Sequence, residues 1–274
     1  MEITLLGTGD TTGTPTVGCT CTTCRRARER GIERSRFSVH LRNTQTDESL
    51  LIDASPDFRS QFLTHEVALP DAVIITHVHF DHLDGLGNAY RLVKALPVYA
   101  SAVPDDVTGE SIAETVDRNY GYLDALSVYP VTPYDPVEII GFEVCFLPVS
   151  HPPLLSYGLS ITDPTTGASL GLTGDTNYAI PDETRSWLTG VDLLLADGIV
   201  PASFCKNHPA GGDHHRPDGT PRTFGTKHMT REGAMDLAAD LDVETTRLVH
   251  VSHFYPAEEA FEDPLAIDGE LHHL

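Results

Sequence analysis

The chain has 274 residues, 40% of them apolar, which suffices for a sizeable core and excludes a disordered chain. Its 18 Lys and Arg stand against 40 Asp and Glu, a formal charge of -22, so a phosphate backbone or anionic lipid surface is repelled in ordinary salt and bulk nucleic acid is disfavoured as a partner. The longest apolar runs, Asp71–Thr76 and Val191–Ala196, are strand-sized and far short of the roughly 18 residues a membrane helix needs, and Met1–Gly9 lacks the features of a secretory signal, so the chain reads as cytoplasmic. Early strands are predicted at Ile3–Leu6, Ser38–Arg42 and Leu50–Asp53. A short helix follows at Asp57–Glu66, a buried strand at Asp71–Thr76 and a helix at Pro104–Tyr120. Val137–Val149 reads as two strands turning at Gly141, and Ser156–Thr162 with Ala168–Thr173 as a hairpin. A helix at Pro181–Leu188, a strand at Val191–Ala196, a helix at Thr230–Leu241 capped by Thr230 and a strand at Arg247–Val251 complete the pattern. Residues 207–226, rich in Gly, Pro, His and Asp, read as a long functional loop. From Ala257 onward the chain carries acids and no bases, which predicts an exposed acidic tail over 257–274 on a single domain.

The basic side of the composition is 15 Arg to 3 Lys, and the excess acid is dispersed rather than gathered. This Lys-poor, Asp-rich dispersal resembles the proteins of salt-accumulating halophiles; at 1 M salt the Debye length is about 3 Å and self-repulsion is screened. Six arginines fall between Arg25 and Arg36. Such runs are mostly solvated helix faces, with an anion contact as the alternative.

Directly after the strand at Asp71–Thr76 comes His77-Val78-His79-Phe80-Asp81-His82, a concentration of imidazole and carboxylate donors suited to zinc, manganese or iron. Three more donors, His151, Asp175 and His250, each lie at or just past the end of a strand-like run, where open sheets place their sites. Together they make seven ligands, enough for two divalent metal ions when one carboxylate bridges. Gly18-Cys19-Thr20-Cys21-Thr22-Thr23-Cys24 gathers three of five cysteines. In an intracellular chain this clustering favours metal over disulfides, and His253 is available as a fourth ligand for one structural zinc. Cys145 and Cys205 have no partner pattern and read as structural.

These motifs, spread from Leu5–Gly9 through Leu51–Asp53 to His250, resemble the metallo-β-lactamase superfamily, a four-layered αβ/βα sandwich with a two-metal site at one edge. The resemblance implies that His77, His79 and His151 hold one metal, that Asp81, His82 and His250 hold the other, and that Asp175 bridges them. It also implies that Asp53 orients the metal loop from behind. The cysteine cluster with the His250-x-x-His253 ending is similar to that of PhnP-type cyclic phosphodiesterases. In those enzymes and in tRNase Z-type enzymes a histidine placed like His228 faces the scissile phosphate, which implies that His228 either stabilises the equatorial oxygens as imidazolium or protonates the leaving alkoxide; His208, His214 and His215 read as solvated. The activity implied is hydrolysis of a small phosphodiester, best a cyclic one, by metal-activated hydroxide, with Asp81 and His228 as the catalytic residues. Gly7–Gly9 with Pro15-Thr16 is similar to tRNase Z, and Ser55–Arg59 with the cysteines to PqqB; a tRNA-processing nuclease, a PqqB-like protein and a non-catalytic metal carrier are the alternatives. The sequence does not set the oligomeric state, and a homodimer is compatible with it.

Overall fold

The structure, a computed structural model, describes residues 1–274 as two mixed β-sheets packed face to face, with helices outside them. The first sheet contains β1 (Glu2–Gly7), β2 (Ser38–Arg42), β3 (Ser49–Ile52), β4 (Ala72–Ile75), β5 (Leu96–Ser101) and β6 (Leu126–Val131), laid side by side in chain order. The second contains β7 (Val137–Ile139), β8 (Phe142–Val149), β9 (Ser156–Thr162), β10 (Ser169–Leu172), β11 (Leu193–Asp197) and, beyond an insertion, β15 (Thr245–Val249). The insertion forms a small three-stranded sheet from β12 (Gly212–His215), β13 (Pro221–Phe224) and β14 (His228–Met229). A last strand, β16 (Leu271–His273), pairs antiparallel with β1 and completes the first sheet.

Every residue of β4 is buried, as expected of a parallel central strand, which makes Ala72–Ile75 a continuous apolar run rather than an alternating one. Apolar side chains from both sheets, among them Ile3, Leu51, Ile74, Phe146 and Leu159, form the main core between them. Of the helices, α1 (Thr22–Arg30) follows the cysteine loop, while α2 (Phe58–His65) and α4 (Ile112–Tyr120) cover the first sheet. Two one-turn helices, α3 (Phe80–Leu83) and α6 (Ala202–Cys205), lie in connections; α5 (Asp182–Leu188) and α7 (Arg231–Asp240) cover the second sheet. Leu188, Ala234 and Leu237 pack there with Leu194 and Leu248 in a second core.

The structure departs from the sequence reading in four places. The helix expected over 104–120 begins only at Ile112. Ser111 caps it, with the reciprocal Glu114 contact of a capping box, while Asp105 folds the preceding residues into a turn by accepting from the Val107 and Thr108 N–H groups. β5 and β6 were unforeseen; Pro97 and Pro130 interrupt their patterns, and Pro130 is tolerated because β6 is an edge strand. Residues 207–226 hold a hairpin rather than a loop, anchored where Arg216 and Arg222 pair with Asp236 of α7. The tail at 257–274 is not an exposed appendage. Phe261, Leu265 and Ala266 are buried, β16 covers the β1 edge, and Asp268 turns inward to accept from the Thr8 and Ser35 N–H groups, so the segment helps close the core.

Candidate metal centre and cleft

The polar residues of interest lie at one edge of the sandwich, at or just past the carboxyl ends of β3, β4, β8, β10, β11 and β15. At two of these exits the chain turns through the left-handed region with a non-glycine residue, Asp53 (φ 59°) and His250 (φ 58°). Such a conformation costs roughly 1–2 kcal/mol and persists where the surroundings enforce it. Before Asp175 the same turn is made by Gly174 (φ 60°), where a Cβ would stand 2.5 Å from the Tyr157 carbonyl oxygen. Only glycine fits there.

The structure brings all seven expected ligands together. His77 Nε2 and His151 Nε2 lie 3.1 and 3.2 Å from His79 Nδ1. The other nitrogens of the outer pair are already engaged: His151 Nδ1 donates to the Lys227 carbonyl at 3.1 Å, and His77 Nδ1 sits 3.1 Å from the Thr76 hydroxyl. Their Nε2 atoms are therefore left as lone-pair donors converging with His79. Burial pushes His151 down to about 3 and His77 well below its ordinary value, so both are neutral, as metal-binding imidazoles must be.

Beside this group, Asp175 Oδ2 lies 3.4 Å from His82 Nε2, 3.2 Å from His250 Nε2 and 3.8 Å from His77 Nε2, and so faces both halves. Asp81 Oδ2 lies 3.7 Å from His82 Nε2 and 3.6 Å from His250 Nε2. Asp53 stands behind. Its carboxylate accepts from the Thr76 N–H (2.8 Å), the Thr76 hydroxyl (2.7 Å) and His82 Nδ1 (2.6 Å), which fixes the His82 tautomer with Nε2 toward Asp81 and Asp175. Burial opposes charge on His82 and His250, yet the surrounding carboxylates win: His82 is held well above its usual value and His250 is raised to about 9. This half of the site draws positive charge inward. His82 Nε2 and both ring nitrogens of His250 are buried without a hydrogen-bond partner. Buried polar atoms are seldom left so, and a divalent cation between these imidazoles and carboxylates satisfies them; the donor set fits such ions.

A second cluster lies at the start of α1. Cys19, Cys21 and Cys24 each place Sγ 3.5 Å from His253 Nδ1, a closed donor set of the kind that holds structural zinc. The Cys24 N–H donates to Cys21 Sγ and the Thr16 N–H to Cys24 Sγ, both at 3.3 Å. Four of the six neighbouring arginines are held within the fold. Arg25 and Arg28 donate to the Thr20 and Cys19 carbonyls of the cysteine loop, Arg34 is buried, and Arg36 pairs with Asp57. Cys145 and Cys205 are buried away from both clusters.

His228 reaches the metal centre from β14. Its ring stacks on His250 (centroids 4.9 Å apart, planes 13° apart) and meets His151 edge-on at 4.8 Å. Its Nδ1 donates to Asp197 Oδ2 at 2.8 Å, an oxygen that also accepts the Thr176 N–H. Asp197, fully buried at the end of β11, was not singled out in the sequence. The only sign was an acid ending an apolar strand, and its partner lies 31 residues on. His208, His214 and His215 lie outside the cleft, though His208 packs on Phe204 and Phe224 and His214 meets the Thr223 hydroxyl. The cleft over the centre has a volume of about 290 Å³, with Thr11, Phe80, Ile199 and Lys227 on its walls.

The family model of the β-lactamase superfamily domain matches residues 48–251, and the chain belongs to this superfamily. It has the metallo-β-lactamase fold, whose members are commonly metal-binding hydrolases. Among solved structures, a diphosphatase from the PhnP family is 27% identical, with a TM-score of 0.75 over 99% of this chain and 96% of that one. An octanoyltransferase of Porphyromonas gingivalis is 29% identical over 265 residues, 94% of this chain but 47% of that protein, so the chain spans about half the length of this relative. A coenzyme PQQ synthesis protein B of Rhodopseudomonas palustris is 25% identical over 286 residues, 93% of this chain and 91% of that protein. No helix is long and apolar enough to cross a membrane.

Proposed function

We propose that the protein is a two-metal hydrolase of a small anionic phosphodiester, of the PhnP type. The observation that carries this reading is the His228–Asp197 pair set against the metal centre. His77, His79 and His151 would hold one divalent ion, Asp81, His82 and His250 the other, with Asp175 shared; zinc, manganese and iron all suit these donors. When bound, the ions supply Lewis acidity toward a phosphoryl oxygen and lower the pKa of water. With Nδ1 directed at Asp197, His228 has Nε2 available to the cleft, where it protonates the departing alkoxide. Asp197 fixes the ring and stabilises its cationic form. A cyclic diester suits the small cleft.

The likeness to a PhnP-family diphosphatase supports cleavage at phosphorus. A tRNA-processing nuclease is less well supported, because the segment between His82 and His151 supplies β5–β8 of the two sheets and the covering α4 rather than a separate gripping arm. In this reading Cys19, Cys21, Cys24 and His253 hold a structural zinc, and the acidic shell serves a cytoplasm of high salt. The test is a panel of 2′,3′-cyclic nucleotides, cyclic ribose phosphates, linear diesters and precursor tRNA, run with each metal across a salt series. Turnover of a small diester is expected. Metal-loaded protein inert on every diester would overturn the reading in favour of a carrier, and preferential cleavage of precursor tRNA would replace it with the nuclease.

A further inference from the structure

The cleft holds one cation that the proposed reaction leaves unused. Lys227 lines it beside His79, His151 and His228, half-buried, while Lys94 and Lys206 are exposed elsewhere. Its backbone is pinned: its own carbonyl accepts from His151 Nδ1 at 3.1 Å, and the preceding Thr226 carbonyl accepts from Asn177 Nδ2 at 2.8 Å. The Lys227 ammonium makes no ion pair or hydrogen bond, in a chain with 40 acids to 18 bases. Nearby cations are committed, Arg36 to Asp57 and both Arg216 and Arg222 to Asp236. A half-buried lysine with no partner in the chain is free to pair with an anion that enters the cleft. Within the centre, the carboxylates of Asp53, Asp81, Asp175 and Asp197 offset the charge of two divalent ions, and Lys227 adds positive charge at the cleft wall.

We propose that Lys227 is a substrate-binding residue that pairs with a non-bridging oxygen of the phosphoryl group and so selects anionic phosphoesters over uncharged esters. The inference deepens the phosphodiesterase reading and rests on it for the reaction, yet phosphate binding tests it without turnover. A charge-assisted contact of this kind changes affinity about ten- to hundredfold. Calorimetric titration of the metal-loaded protein with inorganic phosphate, and separately with uncharged imidazole as a metal-directed probe, compares wild type, Lys227→Met and Lys227→Arg at equal metal content. Lys227→Met is expected to weaken phosphate binding by at least tenfold and leave imidazole binding unchanged, and Lys227→Arg to retain most of the phosphate affinity. Three results overturn the proposal: no phosphate binding by wild type, equal phosphate binding by Lys227→Met, or an equal loss for imidazole. A protein that binds phosphate through Lys227 but cleaves no diester would refute the phosphodiesterase reading alone.

Discussion

Replacing Asp197 with Asn isolates what the buried carboxylate does for His228. Asp197 Oδ2 takes both the His228 Nδ1–H, at 2.8 Å, and the Thr176 N–H, at 3.0 Å. An Asn carbonyl can still accept either, so the backbone contact survives and folding is preserved; what is lost is the charge that favours cationic His228. A hydrogen bond to a charged group contributes about 1.5–3 kcal/mol, and about 1.4 kcal/mol is a factor of ten in rate. The kcat of Asp197→Asn should therefore fall about 10- to 150-fold on a diester with a poor alkyl leaving group. His228→Ala removes the acid itself and should cost about 10²- to 10⁴-fold. Because the pair acts as a unit, the double variant should be no slower than His228→Ala. With p-nitrophenolate, which departs without a proton, both losses should shrink. Steady-state kinetics on the two substrate types, with metal content by elemental analysis, is the assay. Wild-type turnover of the alkyl diester by Asp197→Asn, or a double variant showing the product of both losses, would refute the pairing.

Cys21→Ser should lose one zinc equivalent and lower Tm by roughly 5–10 °C while leaving the catalytic metals in place, because Cys21 Sγ contacts His253 and caps α1 rather than lining the cleft; unchanged zinc and Tm would contradict a structural site. Asp236→Asn should loosen the β12–β13 hairpin by about 1–2 kcal/mol, read as faster amide exchange over residues 212–224. Burial works to raise the Asp236 carboxyl, but Arg216 and Arg222 hold it below its ordinary value, so this anchoring is present above the unfolded carboxylate pKa and lost as pH falls through the lower folded one. Exchange over that segment that ignores both the substitution and acid would show that the ion pairs do not anchor it.

Much of the site was legible because ligands placed at strand ends leave a local trace. His77–His82 follows the apolar run of β4, and His151, Asp175 and His250 each follow another strand. Asp197 left the same strand-end trace, but a single carboxylate there acquires meaning only when β14 brings His228 against it. The left-handed turns at Asp53 and His250 were silent: Asp and His enter that region more often than most side chains, but only a small share of them do, and nothing in the local sequence marks which. Fold elements were missed where composition and packing disagree. Prolines disguised β5 and β6; glycines and histidines disguised the β12–β13 hairpin; the acids after Ala257 drew attention from Phe261 and Leu265, which tie that segment to the core. The charge of -22 described the surface and not the chemistry.

The most direct measurement titrates the metal-free catalytic centre, with the cysteine site kept loaded, while following hydrolysis of a small diester. The account predicts that turnover continues to rise to two equivalents of divalent metal and that Asp175→Ala, which removes the carboxylate facing both halves, cannot reach it. Full activity at one equivalent, or undiminished turnover by Asp175→Ala, would contradict a two-metal hydrolase.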